Sequence, residues 1–596
     1  MSAQNSNGNK KSKRRFFLKV GGALGLTGAV GGTALLTSLF PRVGRTQARH
    51  HHRTPVQTDT AAQRGLAKFV DDLPRAPTIS PTSTQNSVPF FDVKMRPLLK
   101  KLHRDLPATA LWGYNGMFPP PTFETRRGKP INVKWENQLP GTHFLPIDKT
   151  IHGAEPPTPT VRTVVHLHGS KTMPDSDGYP EAWFTNGFQK TGPFFETQVY
   201  HYPNEQQATQ LWYHDHALGI TRLNVYAGLG GGQYFIRDDH EDSLGLPSGD
   251  FEVPLVIQDR FLNPDGSLLY PVEDNGGDPD PRVPPVWIPE FFGDTVLVNG
   301  KVWPFLEVEP RKYRFRILNG SNSRFYHMTL QETWASGAPL GRPGPAFIQI
   351  GSDGGLLPSP VTLNDMLMAP AERRDVVIDF SGQQGKNFLL TNDAPAPYPD
   401  GDDVVPTEIM LFRVNQRLSS RDTSRVPSVL NSVPLISPAS AVKMRDLVLA
   451  ELDSAPPFEN PIIATINDSH WDDPVTETPK AGTVEVWRII NTTGDAHPIH
   501  VHLVQFQILD RRPFNPDTFP GSLDYTGPAV APGRDERPAW KDTVISLPGT
   551  VTRIIAKFDL PSAAHPKPGD KFLYVYHCHI LEHEENEMMR PYTVLG

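Results

Sequence analysis

The 596-residue chain has a single cysteine, Cys578. No intrachain disulfide can form, so packing, hydrogen bonds or metal must hold the protein together. Acidic residues are absent from positions 1–48, which carry eight Lys/Arg. The remainder then has 50 Lys/Arg against 65 Asp/Glu, a net of -15. Such an acidic body is a poor nucleic-acid binder, because phosphate contacts need clustered basic side chains. Histidine almost vanishes between about 241 and 440, where His327 stands alone. Charged residues at 21% and hydrophobic ones at 38% exclude both a disordered chain and a multi-span membrane protein.

Proline is abundant instead: 62 residues, roughly twice the usual ~5%. Each interior Pro costs a helix about 3 kcal/mol, so short strands joined by Pro-rich turns are expected. Alternating runs such as TVRTVVHLH, TQLWYHDH, DVVIDF, VHLVQFQIL and FLYVYHCH bear this pattern, with β-branched and aromatic residues dominant. One pattern recurs three times: GKPINVKWEN ending at Asn137, PRKYRFRILN at Asn319 and GTVEVWRIIN at Asn491. Near-equal spacing predicts a repeated β unit, with domains at 88–240, 250–415 and 440–596. The Ser/Pro/Arg-rich stretch 416–439 reads as a linker.

The N-terminus reads as an address. Arg14 and Arg15, followed by Phe16, Phe17, Leu18 and Lys19, resemble a twin-arginine signal, with Lys13 where Ser or Thr is commoner. Val20–Phe40 is uncharged and holds six glycines, which favours a cleaved signal over a membrane anchor. Residues 1–48 are the expected signal, with cleavage after Ala48. Such a signal implies the twin-arginine export machinery and a periplasmic or extracellular bacterial protein. Residues 49–87 read as a flexible lead-in, in which His50, His51 and His52 form a solvated tract.

Four His-x-His pairs lie outside that tract: His166/His168, His214/His216, His500/His502 and His577/His579. Twenty-one histidines in 596 residues would give fewer than one such pair by chance. On a strand, residues i and i+2 share a face, so each pair can aim two imidazoles at one place. Eight nitrogen ligands are too many for one ion and suit a cluster. Cys578, between His577 and His579, has the opposite parity, and so does His497, three before His500. His583 follows Cys578 by five residues and Met588 by ten. Cys, two His and Met are the donors of a blue-copper electron-transfer centre.

HLHG (166–169), WYHDH (212–216), HPIHVH (497–502) and HCHILEHEENEMM (577–589) resemble the four copper motifs of the multicopper oxidases. DSDGYPEAW, TRLNVYAGL, VNGKVWP, IGSDGGLL and DPVTETPK are similar to the spore-coat laccase and bilirubin-oxidase branch. The resemblance implies an all-β protein of three cupredoxin-like Greek-key sandwich or barrel domains, the second without copper, and four copper ions. It implies a mononuclear copper on His497, Cys578, His583 and Met588. It implies a trinuclear cluster whose single copper is held by His166 and His500. The coupled pair of that cluster would be held by His168, His214, His216, His502, His577 and His579. Glu584 and Asp177 match acidic residues given a proton-relay role in that branch; support of a ligand histidine is the alternative.

The implied activity is one-electron oxidation of a small aromatic reductant (phenol, aromatic amine or bilin), coupled to four-electron reduction of dioxygen to water. A monomer is expected. Oxidation of Cu(I) or Mn(II) is the alternative. With 11 Met spread through it, Met366 and Met368 being the nearest approach to one, the chain lacks the Met-rich insert common in cuprous oxidases. A copper-free scaffold is a remote third reading, since no ligand is missing. One departure concerns a disulfide that the branch can carry near its substrate entrance. Phe292 aligns with one of its cysteines, so the loop Asp393–Val405 is expected to differ in mobility.

Overall fold

The computed structural model describes residues 59–272, 275–402 and 406–596. The twin-arginine signal and the His50–His52 tract lie outside the described residues. Among the described residues, strands from three successive stretches build six sheets, two per stretch. The first stretch pairs a sheet containing Val88–Lys100 and Ile131–Asn137 with one containing Val165–His168 and Thr209–Asp215.

The threefold sequence pattern has a structural counterpart. Ile131–Asn137 runs parallel to Val88–Lys100, Lys312–Asn319 to Glu252–Leu262, and Val484–Asn491 to Ala441–Asp453. Each copy ends in a fully buried Asn whose side-chain oxygen accepts from the backbone N–H two residues on: Leu139 at 2.9 Å, Ser321 at 3.1 Å and Thr493 at 2.9 Å. Asn stands there because its short amide mimics a backbone turn while its NH2 ties down the next loop. In the third copy Asn491 Nδ2 donates to Asp495 O and Ser546 O. That fixes the chain two residues before His497.

Alternation along the strands places apolar side chains in three main cores, one for each stretch. The expectation of a flexible lead-in is corrected from residue 59 onward. Ala61, Phe69 and Leu73 are buried in the core of the middle stretch, and Phe69 and Leu73 N–H donate to Trp303 O and Phe305 O. These few apolar residues in a Pro/Thr-rich background complete a core that the middle stretch leaves open. The linker 416–439 is also docked at points: Leu430 is fully buried and its N–H donates to Pro358 O at 2.9 Å.

Candidate metal centre

Two antiparallel strand pairs deliver the cluster histidines. Val165–His168 faces Thr209–Asp215 with His166 opposite His214. His497–Val501 faces Lys571–Cys578 with His500 opposite His577 and Ile499 opposite Cys578. His216, His502 and His579 follow immediately after strand ends. All eight imidazoles are buried and converge. Ligand atoms of His168, His214 and His579 lie within 4.8 Å of one another, as do those of His216, His502 and His577. His166 and His500 form a third group that shares His168. Across the two pairs, His166 stacks on His502 at 3.7 Å and His168 on His500 at 3.6 Å between ring centroids.

Hydrogen bonds fix which nitrogen faces inward. A carbonyl oxygen can only accept, so a ring nitrogen bonded to one carries the proton. His166 Nδ1 donates to Asp177 O (2.6 Å), His214 Nδ1 to Asp215 O (2.8 Å), His500 Nδ1 to Asp542 O (2.7 Å) and His577 Nδ1 to Cys578 O (3.0 Å). Nε2 of His166, His214 and His500 is buried without a hydrogen bond. His577 Nε2 lies 3.3 Å from Nε2 of both His216 and His502. His168 is reversed: its Nε2 donates to Asp542 Oδ1 at 3.1 Å, and Nδ1 makes no hydrogen bond. Burial and neighbouring imidazoles hold His166, His168, His216, His502 and His579 far below the usual histidine range; burial takes His214 and His500 to about 3. Those seven rings are therefore neutral, the state that donates a lone pair to a metal. Convergent lone pairs with no protein partner fit a bound cation cluster.

Two aspartates support this arrangement in mirrored fashion. Asp177 takes His166 on its carbonyl and His502 Nδ1 on its carboxylate at 2.7 Å. Asp542 takes His500 on its carbonyl and His168 on its carboxylate. Burial without a counter-charge pushes the Asp177 carboxyl well above its usual range. Glu584 is buried with one oxygen 3.0 Å from His577 Nδ1 and the other 3.7 Å from His216 Nδ1.

The second centre lies on the opposite face of Lys571–Cys578. Cys578 Sγ is 3.5 Å from His497 Nδ1 and 4.0 Å from His583 Nδ1, and the two nitrogens are 3.2 Å apart. Burial raises the Cys578 thiol far above its usual range, with the Ile580 N–H at 3.4 Å opposing this. A cation held by the three donors would supply the charge that a buried thiolate needs. Met588 is fully buried beside Cys578 in one apolar core; its N–H donates to His583 O and its carbonyl accepts from Cys578 N, both at 2.9 Å. The short helix Leu581–Glu585 sets His583 through its neighbours: Glu582 accepts from Tyr270, Asn322 and Ser323, and Glu585 pairs with Arg222.

Carboxylates gather behind this centre. Glu451 Oε1 lies 3.6 Å from His497 Nε2 and 4.0 Å from His583 Nε2. Its side chain is 19% exposed while His497 is sealed, so it stands between that imidazole and solvent. Burial, with Asp495 nearby, raises Glu451 and Glu290 well above the usual carboxyl range. Sequence reasoning missed Glu451 and Asp542. Neither sits in a motif, and both reach the ligands only through pairing across the fold. The described part of the loop that begins at Asp393 is anchored without a disulfide. Tyr398 stacks on Phe325 at 4.9 Å, and its carbonyl accepts from Ala496 N, next to His497, at 2.8 Å.

Imidazole trios beside a buried Cys–His triangle, on paired β-sheets, define a copper-binding redox protein of cupredoxin-like build. Residues 444–595 match the multicopper oxidase family model. The chain is 50% identical over 537 residues to the laccase of Bacillus subtilis (strain 168), covering 89% of this chain and 99% of that protein. It is 40% identical to multicopper oxidase LPR1 of Arabidopsis thaliana, covering 89% and 93%. The McoA multicopper oxidase structure from Aquifex aeolicus superposes with a TM-score of 0.68 at 27% identity, covering 89% of this chain and 100% of that one. The chain belongs to the multicopper oxidase family. It is an oxidoreductase that takes electrons from a reductant and gives them to dioxygen, and the three cupredoxin-like units expected from the sequence are present.

Proposed function

We propose that four copper ions occupy these positions: one on His497, Cys578, His583 and Met588, one on His166 and His500, and one on each trio. The trios are His168, His214 and His579, and His216, His502 and His577. The observation that carries this is the set of inward lone pairs, each trio within 4.8 Å, with the opposite nitrogens of most rings tied back. Bound copper supplies one-electron transfer at the mononuclear site and four-electron reduction of dioxygen to two waters at the cluster. Cys578 lies between His577 and His579 in the chain and so links the two sites by covalent bonds. The histidines hold their lone pairs inward, and the buried strands exclude water. Asp177 and Glu584 each touch two cluster histidines, placing a protonatable oxygen where the four protons of dioxygen reduction are consumed.

The reductant is a small aromatic molecule, a phenol, an aromatic amine or a bilin, oxidised one electron at a time beside His497 and His583. A second reading is favoured by Glu451, Glu290 and Asp495 behind those rings: oxidation of a transition-metal cation. Carboxylates suit Mn(II) or Fe(II), whereas Cu(I) prefers thioethers. Copper-to-protein stoichiometry with oxygen uptake on a phenol, a bilin, Mn(II), Fe(II) and Cu(I) tests both readings. Four coppers and turnover of the aromatics support the first; turnover of cations alone supports the second, and a chain that binds no copper ends both. The unit limits 88–240, 250–415 and 440–596, twin-arginine export and a monomeric state belong to the same reading.

A further inference from the structure

A side chain of the histidine-poor middle stretch is bonded to an aspartate that supports the cluster. Arg373 begins the strand Arg373–Asp379 and is fully buried. Its Nη1 donates to Asp542 Oδ1 at 2.8 Å and its Nη2 to Asp542 Oδ2, a two-pronged pair. The remaining donors are also engaged: Nε to Gln210 O (3.1 Å), Nη1 to Ala371 O (3.0 Å) and Nη2 to Asp353 O (3.2 Å). Gln210 lies on the strand that carries His214. One guanidinium thus joins all three stretches and holds one carboxylate rigidly. That carboxylate turns His168 so that Nδ1 faces inward, while the same residue's carbonyl holds His500. The glycine of HLHG makes the room: a Cβ on Gly169 would lie 2.4 Å from Asp542 Oδ2 and 2.9 Å from Arg373 Nη2.

We propose that Arg373 and Asp542 are positioning residues of the copper cluster, by which the copper-free middle unit sets the orientation of His168 and His500. This inference rests on the copper assignment above. A buried ion pair seldom adds stability over apolar packing, so stability alone does not account for it. Partners behind a metal-bound histidine fix its ring and raise its basicity. The neighbouring pair gives the contrast. Lys541 bridges Glu372 at 2.8 Å and Asp353 at 2.9 Å, equally buried and joining the same two stretches, with no bond to any histidine.

The test compares Asp542→Asn with a double variant, Lys541→Gln/Glu372→Gln, in copper titrations of metal-depleted full-length protein. Asp542→Asn should weaken cluster loading about 10–100-fold, alter the paramagnetic resonance spectrum of the single copper on His166 and His500, and leave the blue band of the Cys578 site unchanged. The double variant should lower the melting temperature and load copper normally. Arg373→Lys, which keeps the charge and loses the fork, should show the same loss in weaker form and serves if Asp542→Asn does not fold. Normal loading and an unchanged spectrum in Asp542→Asn overturn the proposal, and so does equal copper loss in the double variant. A wild-type protein that binds fewer than four coppers overturns the copper assignment itself and this inference with it.

Discussion

The mononuclear site and the cluster are built by different strategies. Every proposed mononuclear ligand lies between His497 and Met588 in one stretch, and three of the four sit on the strand end, helix and loop from Cys578 onward. The cluster takes four histidines from each of two distant stretches and secures them through Asp177, Asp542 and Glu584. The first depends on a single irreplaceable residue. The second is spread over many partners, none of which works without the global fold. A local site should therefore fail by a single change and leave its neighbour intact, whereas the cluster should degrade in degrees.

Cys578→Ser is the sharpest way to break that contrast. It should abolish the intense blue thiolate-to-copper band and turnover altogether, because no other thiolate exists in the chain. The cluster should still take up copper, since its eight imidazoles are untouched. A variant that stays blue, or one that loses the cluster coppers as well, would show the two sites are not independent in this way.

Glu584→Gln and Asp177→Asn probe the distributed site. Each keeps size and hydrogen bonding but carries no proton at neutral pH. Removing a positioned proton donor typically costs about 10²–10⁴-fold. Reduction by substrate without oxygen should stay near wild type, while reoxidation on adding oxygen slows by that factor. If reduction slows and reoxidation does not, the carboxyls only support ligands.

The same contrast explains what the sequence made legible. His-x-His pairs and the opposite parity of Cys578 are local, set by the two-residue period of a strand, and the structure places those residues as the period demands. The three turn asparagines were legible for the same reason. Asp542, Arg373 and Glu451 were not. Asp542 matters because Thr543 pairs with His500 across the sheet and because Arg373 approaches from 169 positions away. No local pattern encodes such meetings. The docking of Ala61, Phe69 and Leu73 was hidden likewise, since the composition around them is that of a loose segment.

Met588→Leu is a gentler probe of the local site. The colour should persist, because the thiolate and two imidazoles remain. The potential should rise by on the order of 59 mV or more, tenfold per electron, since a thioether favours the oxidised ion and Leu donates nothing. Redox titration of the blue band measures it, and an unchanged or lowered potential removes Met588 from the ligand set.

The smallest effect is expected outside the proposed ligand sets of both sites. His327, on Tyr326–Thr333, bonds through Nδ1 to Asp393 and through Nε2 to Asp365 at 3.3 Å. The Asp393 bond raises its pKa, burial opposes this, and Asp365 adds to the rise. A histidine whose folded pKa exceeds its unfolded value of about 6.5 stabilises fully below that value and loses the contribution as pH rises through the folded pKa. Asp393 is 69% exposed, so water screens the pair and its worth is at most about 1 kcal/mol. His327→Gln should thus melt roughly 1–2 °C below wild type at pH 6 and converge with it at pH 9. Asp393 opens the loop whose Tyr398 carbonyl holds Ala496 beside His497, so the pair belongs to the approach to the mononuclear site. The blue-copper potential is the second readout: it should follow this titration weakly, and copper loading of the cluster should not follow it at all. A melting difference that is the same at both pH values would mean that the imidazole does not change its charge between them.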